Sequence, residues 1–148
     1  MLVATLLLAD AATIADGKLY ILGAGWSITG PGSLPSAVVL IVDFIPPRVD
    51  EKHDCEVMLV DPQGKPAVLG AARGVPDIIR FTLSIEENTQ QTEPGTSSYL
   101  HVMTIPALPL IPGSKYAWRL TVNGEERPEW TRQFSVRSEL PRRKDSVT

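Results

Sequence analysis

Leu110-Ile-Pro-Gly-Ser-Lys-Tyr-Ala-Trp-Arg-Leu-Thr-Val-Asn-Gly124 is the stretch that decides the fold. From Tyr116 the chain alternates. Tyr116, Trp118, Leu120 and Val122 fall on one side, the period of a strand with one buried face. Asn123-Gly124 then offers the residues that a tight hairpin turn needs, because both tolerate positive φ. Trp130–Arg137 reads as the returning strand, with Arg127-Pro128 making the connection longer than two residues.

Upstream, Leu110 precedes the strand-opening Tyr116 across Pro112-Gly113. This arrangement resembles the tyrosine corner of immunoglobulin-like and fibronectin-like sandwiches. There the ring packs in the core and the hydroxyl bonds back to the preceding connection. The rest of the chain agrees with an all-β fold. Gly 11 and Pro 13 punctuate short apolar runs, and no long stretch carries a helical apolar stripe. His53–Asp61 alternates, with Cys55, Val57 and Leu59 on one face. Ile79–Glu86 puts Phe81, Leu83 and Ile85 inward, Tyr99–Ile105 is a further strand, and Ser36–Ile45 is apolar on both faces. Asp10 to Gly17 reads as one capped helical turn, followed by a strand over Lys18–Gly23 and a short strand after Trp26. Glu86–Ser97 is polar and reads as an exposed loop. The expectation is one antiparallel β-sandwich, immunoglobulin/fibronectin-like, of eight or nine strands over residues 1–137, with a disordered basic tail over 138–148.

Leu2–Ala9 is read as a buried strand. A secretory signal needs a positive amino-terminal region, whereas the first positive side chain is Lys18 and Asp10 ends the run. No run reaches the ~18 apolar residues of a membrane-spanning helix. The chain of 148 residues carries a net charge of -3. From Arg137 onward, Arg137, Arg142, Arg143 and Lys144 outnumber Glu139 and Asp145, so the tail is +2 and the body -5. Such a balance argues against nucleic acid as partner, since three clustered cations neutralise about three phosphates. A single Cys excludes a disulfide framework within the chain and a multi-cysteine zinc site, and fits a cytoplasmic location.

Leu8-Ala-Asp-Ala-Ala12, Asp16-Gly-Lys-Leu19 and Ile21-Leu-Gly-Ala-Gly-Trp26 resemble the amino-terminal signature of an actinobacterial family of uncharacterised β-sandwich proteins, a domain of unknown function. Leu59-Val-Asp-Pro-Gln-Gly64 and Pro112-Gly113 with Tyr116 fit it too, so the similarity spans residues 1 to about 137 and leaves the tail outside. The resemblance implies no activity, substrate or site residue.

Few residues suggest chemistry. Gly23-Ala-Gly25-Trp26 lacks the following helix of a phosphate loop. His53 and Cys55 share a strand face, and with His101 they are the candidate metal ligands, although Cys55 leads an apolar face. The acidic residues Asp50, Glu51, Asp54 and Glu56 lack calcium-loop spacing and read as a solvated rim. Trp26 and Trp130 are candidates for stacking on a ligand, a small molecule or a carbohydrate. The second apolar face of Ser36–Ile45 presents Val39, Ile41 and Ile45, a candidate interface with a protein partner or another copy. The expected function is a non-enzymatic interaction or structural module without a cofactor. A small-ligand-binding domain and a metal-dependent enzyme are the alternatives.

Overall fold

The computed structural model of the chain describes residues 2–32, 34–44, 52–69, 77–85, 91–93 and 96–138. Among them no helix occurs. The strands are β1 (Leu2–Ala9), β2 (Ala11–Ala15), β3 (Lys18–Leu22), β4 (Ile28–Thr29), β5 (Ser36–Phe44), β6 (His53–Val60), β7 (Arg80–Ile85), β8 (Gln91–Glu93), β9 (Thr96–Ile105), β10 (Lys115–Val122) and β11 (Glu125–Val136). They form a four-stranded sheet in the order β1-β5-β9-β8, a five-stranded sheet in the order β4-β11-β10-β6-β7, and a separate β2-β3 pair. Neighbours are antiparallel except β4, which runs parallel to β11.

Alternation places the core between the two large sheets. Leu6, Leu8, Val38, Leu40, Val42 and Phe44 point inward from β1 and β5. Val57, Leu59, Trp118, Leu120, Trp130 and Phe134 meet them from β6, β10 and β11. Phe81 and Leu83 of β7 are half-buried against the same core. Tyr116 is buried, and the Ile111 amide donates to its hydroxyl at 3.1 Å. The ring thus fills the core while its polar end satisfies the preceding connection.

Several expectations need correction. Asp10 to Gly17 is not a helical turn but β2 and the start of a hairpin. Asp16 (φ 51°) and Gly17 (φ 70°) supply consecutive positive φ values, which close a two-residue turn rather than end a helix. The polar stretch before Tyr99 contains β8 and the start of β9, although residues 86–90, 94 and 95 fall outside the described ones. With these additions the described strands exceed the eight or nine expected. The β10–β11 connection is the two-residue Asn123-Gly124 turn, with φ of 50° and 80°. The extra length around Pro128 is absorbed inside β11, where the pairing jumps from Thr121↔Glu126 to Arg119↔Thr131. The basic tail from 139 onward lies outside the described residues.

The third sheet settles what covers β5. Val38, Leu40 and Val42 face the core, whereas Ala37 and Val39 face the other way and are still 3% and 0% exposed. β2 packs against both β5 and β9. Its sequence, Ala-Ala-Thr-Ile-Ala, presents small side chains that allow close approach. The β2-β3 hairpin therefore lies over the outer surface of the four-stranded sheet and buries one end of it.

Candidate binding surface

The proposed metal ligands do not assemble. His53 is buried at the start of β6 and stacks on Phe44, with ring centroids 4.9 Å apart. Asn123 Nδ2 lies 3.2 Å from His53 Nδ1. The same Asn123 accepts the Asp54 amide through Oδ1 at 2.9 Å, and its own amide donates to the Asp54 carbonyl at 2.7 Å. His53 is thus part of a clamp between β6 and the β10–β11 turn. Cys55 is 1% exposed in the core, and burial, aided by the Asp54 charge, pushes its thiol up to about 11. A thiol so protonated is a poor nucleophile and ligand at neutral pH. His101 projects from the opposite sheet, paired in register with Leu40, and the Tyr99 hydroxyl lies 3.3 Å from its Nδ1. Among the described residues no three His, Cys, Asp or Glu side chains converge as metal ligands.

The aromatic candidates part company. Trp130 is 1% exposed, with the Arg127 guanidinium 4.7 Å from its ring centroid. It has no face left for a ligand. Because β11 starts at Glu125, Trp130 is a mid-strand core residue rather than a rim residue at a strand start. Trp26 is half-buried and meets Phe134 edge-on, with centroids 5.8 Å apart. It lines a cleft of about 330 Å³ with Leu108, Leu110, Pro35 and Asp10. Its Nε1 is buried without a hydrogen-bond partner among the described residues. Of the interface residues, Val39 lies buried under the hairpin, Ile41 is half-buried, and Ile45 is outside the described residues. Val39 has no free surface to offer a partner.

A further surface feature gathers residues that the sequence analysis did not link. The outer side of the five-stranded sheet carries a groove of about 510 Å³. Val60 and Ala117 are buried in its floor, where with Met58 they form a small apolar cluster separate from the main core. Thr131, Gln133 and Ser135 of β11 form one wall, and the Asp61–Gly64 turn forms the other. Ile28 of β4 is 51% exposed at its side. A neighbouring hollow shares Asp61, Pro62, Lys115 and Tyr116 with the groove, and brings in exposed Val68 and Ile111. The two make one surface with apolar floor and rim, polar on its β11 wall.

Asp61 and Arg119 make contacts within the fold, although Arg119 Nε is buried without a partner among the described residues, and Lys115 is the third charged residue of the lining. The Asp61 carboxylate accepts the amides of Gln63 and Lys65 at 2.9 and 3.0 Å and so holds its own turn. Arg119 donates to the Gly64 carbonyl at 2.8 Å and approaches Glu126 at 3.6 Å, tying that turn to β10 and β11. The one sequence signal was the outward Ala117 on β10: a small residue between Lys115 and Arg119 leaves a hollow, but the sequence does not say which strands flank it.

Among the described residues no helix is long and apolar enough to cross a membrane. The profile of a family of unknown function, DUF6941, matches residues 4–137. No curated protein and no solved structure matches the chain.

Proposed function

Because the chain belongs to this family of unknown function, its role is read from its own geometry, and we propose a non-enzymatic protein-interaction module that receives a partner on the outer face of the five-stranded sheet. The observation that carries this reading is the groove over Val60 and Ala117. An apolar floor bordered by a polar wall has the mixed composition of a protein interface. Exposed Ile28, Val68 and Ile111 extend its apolar area beyond what scattered surface residues explain. The non-enzymatic part of the reading is supported by Asp61, whose Oδ1 holds its own turn, and by Arg119, whose terminal nitrogens reach Gly64 and Glu126.

We read the architecture as immunoglobulin-like. The order β1-β5-β9-β8 parallels the A-B-E-D sheet of that fold, and β11-β10-β6 parallels G-F-C. On that correspondence Tyr116 stands near the start of the F strand, where the tyrosine corner belongs, and its hydroxyl accepts from the connection just upstream. The β2-β3 hairpin is then an insertion between the first strand and β4.

Ile28→Asp combined with Ile111→Asp tests the reading, since both side chains are exposed and carry little of the fold. Val3→Asp, on the other sheet, is the control. In chemical cross-linking and affinity capture from the native host, the partner should be retained by wild type and by Val3→Asp. It should fall at least about tenfold with the double variant, a loss of about 1.4 kcal/mol, while the melting temperature stays near wild type. Equal capture by all three proteins would overturn the reading.

A further inference from the structure

We propose that β3 is a dimerisation edge, at which two copies of the chain pair antiparallel and join their hairpins into one four-stranded sheet. An open edge presents unpaired backbone donors and acceptors, and natural sheets protect such edges with short strands, charges, Pro or bulges. The other edges show these devices. β4 has two residues and β8 three. β11 carries Pro128 among Glu125, Glu126, Arg127 and Glu129, together with its pairing irregularity. β7 begins with Arg80 and turns Thr82 and Ser84 outward. β1 runs beside β11. β3 is guarded by a single charge, Lys18 at its first position. It reads Lys-Leu-Tyr-Ile-Leu, and Tyr20 and Leu22 are 54% and 71% exposed. Among the described residues only β2 pairs with it.

The turn fixes which backbone groups are free. In the two-residue Asp16-Gly17 turn, the Lys18 amide faces Ala15. Hydrogen-bonding direction alternates along a strand, so Leu19 and Ile21 turn their N–H and C=O away from β2, toward the open side. A twofold axis at Tyr20 then sets Leu19 opposite Ile21 of the second copy in a reciprocal hydrogen-bonded pair, repeated across the axis. Tyr20 faces its own copy in the close, non-hydrogen-bonded position, where an aromatic pair is favourable. Lys18 falls opposite Leu22, and the two Lys18 side chains sit at opposite ends of the paired segment, about 13 Å apart along it, beyond the ~8–10 Å screening length. The Leu19–Ile21 pairs are apolar, the central pair is aromatic, and no like charges stand opposite each other. This self-complementarity is why the occupant is a second copy rather than an unrelated strand. The edge does not involve the groove, so the two readings stand or fall separately.

Sedimentation of the full chain should show a monomer–dimer equilibrium between low and high micromolar concentration. Ile21→Pro removes an outward donor that makes no bond within the chain, and Tyr20→Lys opposes two like charges at the axis. Each should weaken the dimer at least about tenfold, while the circular dichroism spectrum stays that of wild type. Tyr20→Cys reads the register, because close-paired cysteines reach disulfide geometry. It should form a covalent dimer under mild oxidation, whereas Thr13→Cys on the same hairpin face should not; native Cys55 is buried and stays silent. If Ile21→Pro fails to fold, Tyr20→Lys and the cysteine pair decide. A wild-type monomer throughout, a dimer that survives Tyr20→Lys, or equal cross-linking at positions 20 and 13 would each overturn the proposal. Ile28→Asp should leave the dimer intact.

Discussion

His101 shows what a single side chain owes to its neighbours. It lies on the inner side of β9, in register with Leu40, half-buried beside Tyr99. Burial disfavours the imidazolium and holds its pKa below the ordinary 6.5. Its Nδ1 lies 3.3 Å from the Tyr99 hydroxyl, and only an unprotonated Nδ1 can accept from that group. As pH falls through about 6.5 the unfolded chain takes up a proton that the folded one refuses, so stability is lost on the acid side. The thermal midpoint of wild type should therefore drop between about pH 7.5 and pH 5 by more than that of His101→Gln, which cannot titrate. Parallel curves for the two proteins would contradict this account. Tyr116 is the opposite case: its hydroxyl accepts from Ile111, five residues upstream, as local spacing predicted.

At the scale of elements, β5 separates two kinds of prediction. Its pattern announced a strand apolar on both sides, but the pattern alone could not say what covers the second side. The β2-β3 hairpin covers Val39 and leaves Ile41 half-buried. Val39→Asp should consequently be severe, because it buries an unpaired carboxylate, a change that costs about 3–5 kcal/mol when a buried charge lacks its partner. Ile41→Lys should cost about 1 kcal/mol or less, since a lysine stem can lie along apolar surface and carry its ammonium to water. Urea denaturation of both variants checks the contrast, and similar losses for the two would mean that the hairpin does not cover this face selectively. Asp16-Gly17 illustrates why the hairpin was missed. Asp-Gly ends helices and also closes hairpins, and the weak alternation of Ala-Ala-Thr-Ile-Ala did not decide between them.

The whole molecule is held by pairings distant in sequence. β5 meets β9 with Ser36 opposite Ile105, and β6 meets β10 with Val60 opposite Ala117. Closing such loops precedes any reward from the contacts, so topologies of this kind fold in about milliseconds to seconds. Stopped-flow refolding followed by the buried Trp118 and Trp130 should show its main phase in that range. A main phase in microseconds would mean that local hairpins, rather than the sandwich, set the barrier. The same distance effect explains the site. Val60, Ala117, Gln133 and Ile28 belong to four strands, and only their lateral order makes them neighbours.

The sequence by itself determined the strands with clean alternation, the Asn123-Gly124 turn, the buried Tyr116 with its hydroxyl on the preceding connection, and the inward sets on β6, β7 and β10. Each is written in residues a few positions apart, where period and turn chemistry act directly. Tertiary structure alone decided that Trp130 is core, that His53 and His101 serve separate contacts, that β2-β3 covers Val39, and that a groove opens over Ala117. Those outcomes depend on which strands lie side by side and which surface folds over another, and a one-dimensional pattern records the face of a residue but not its neighbour across the sheet.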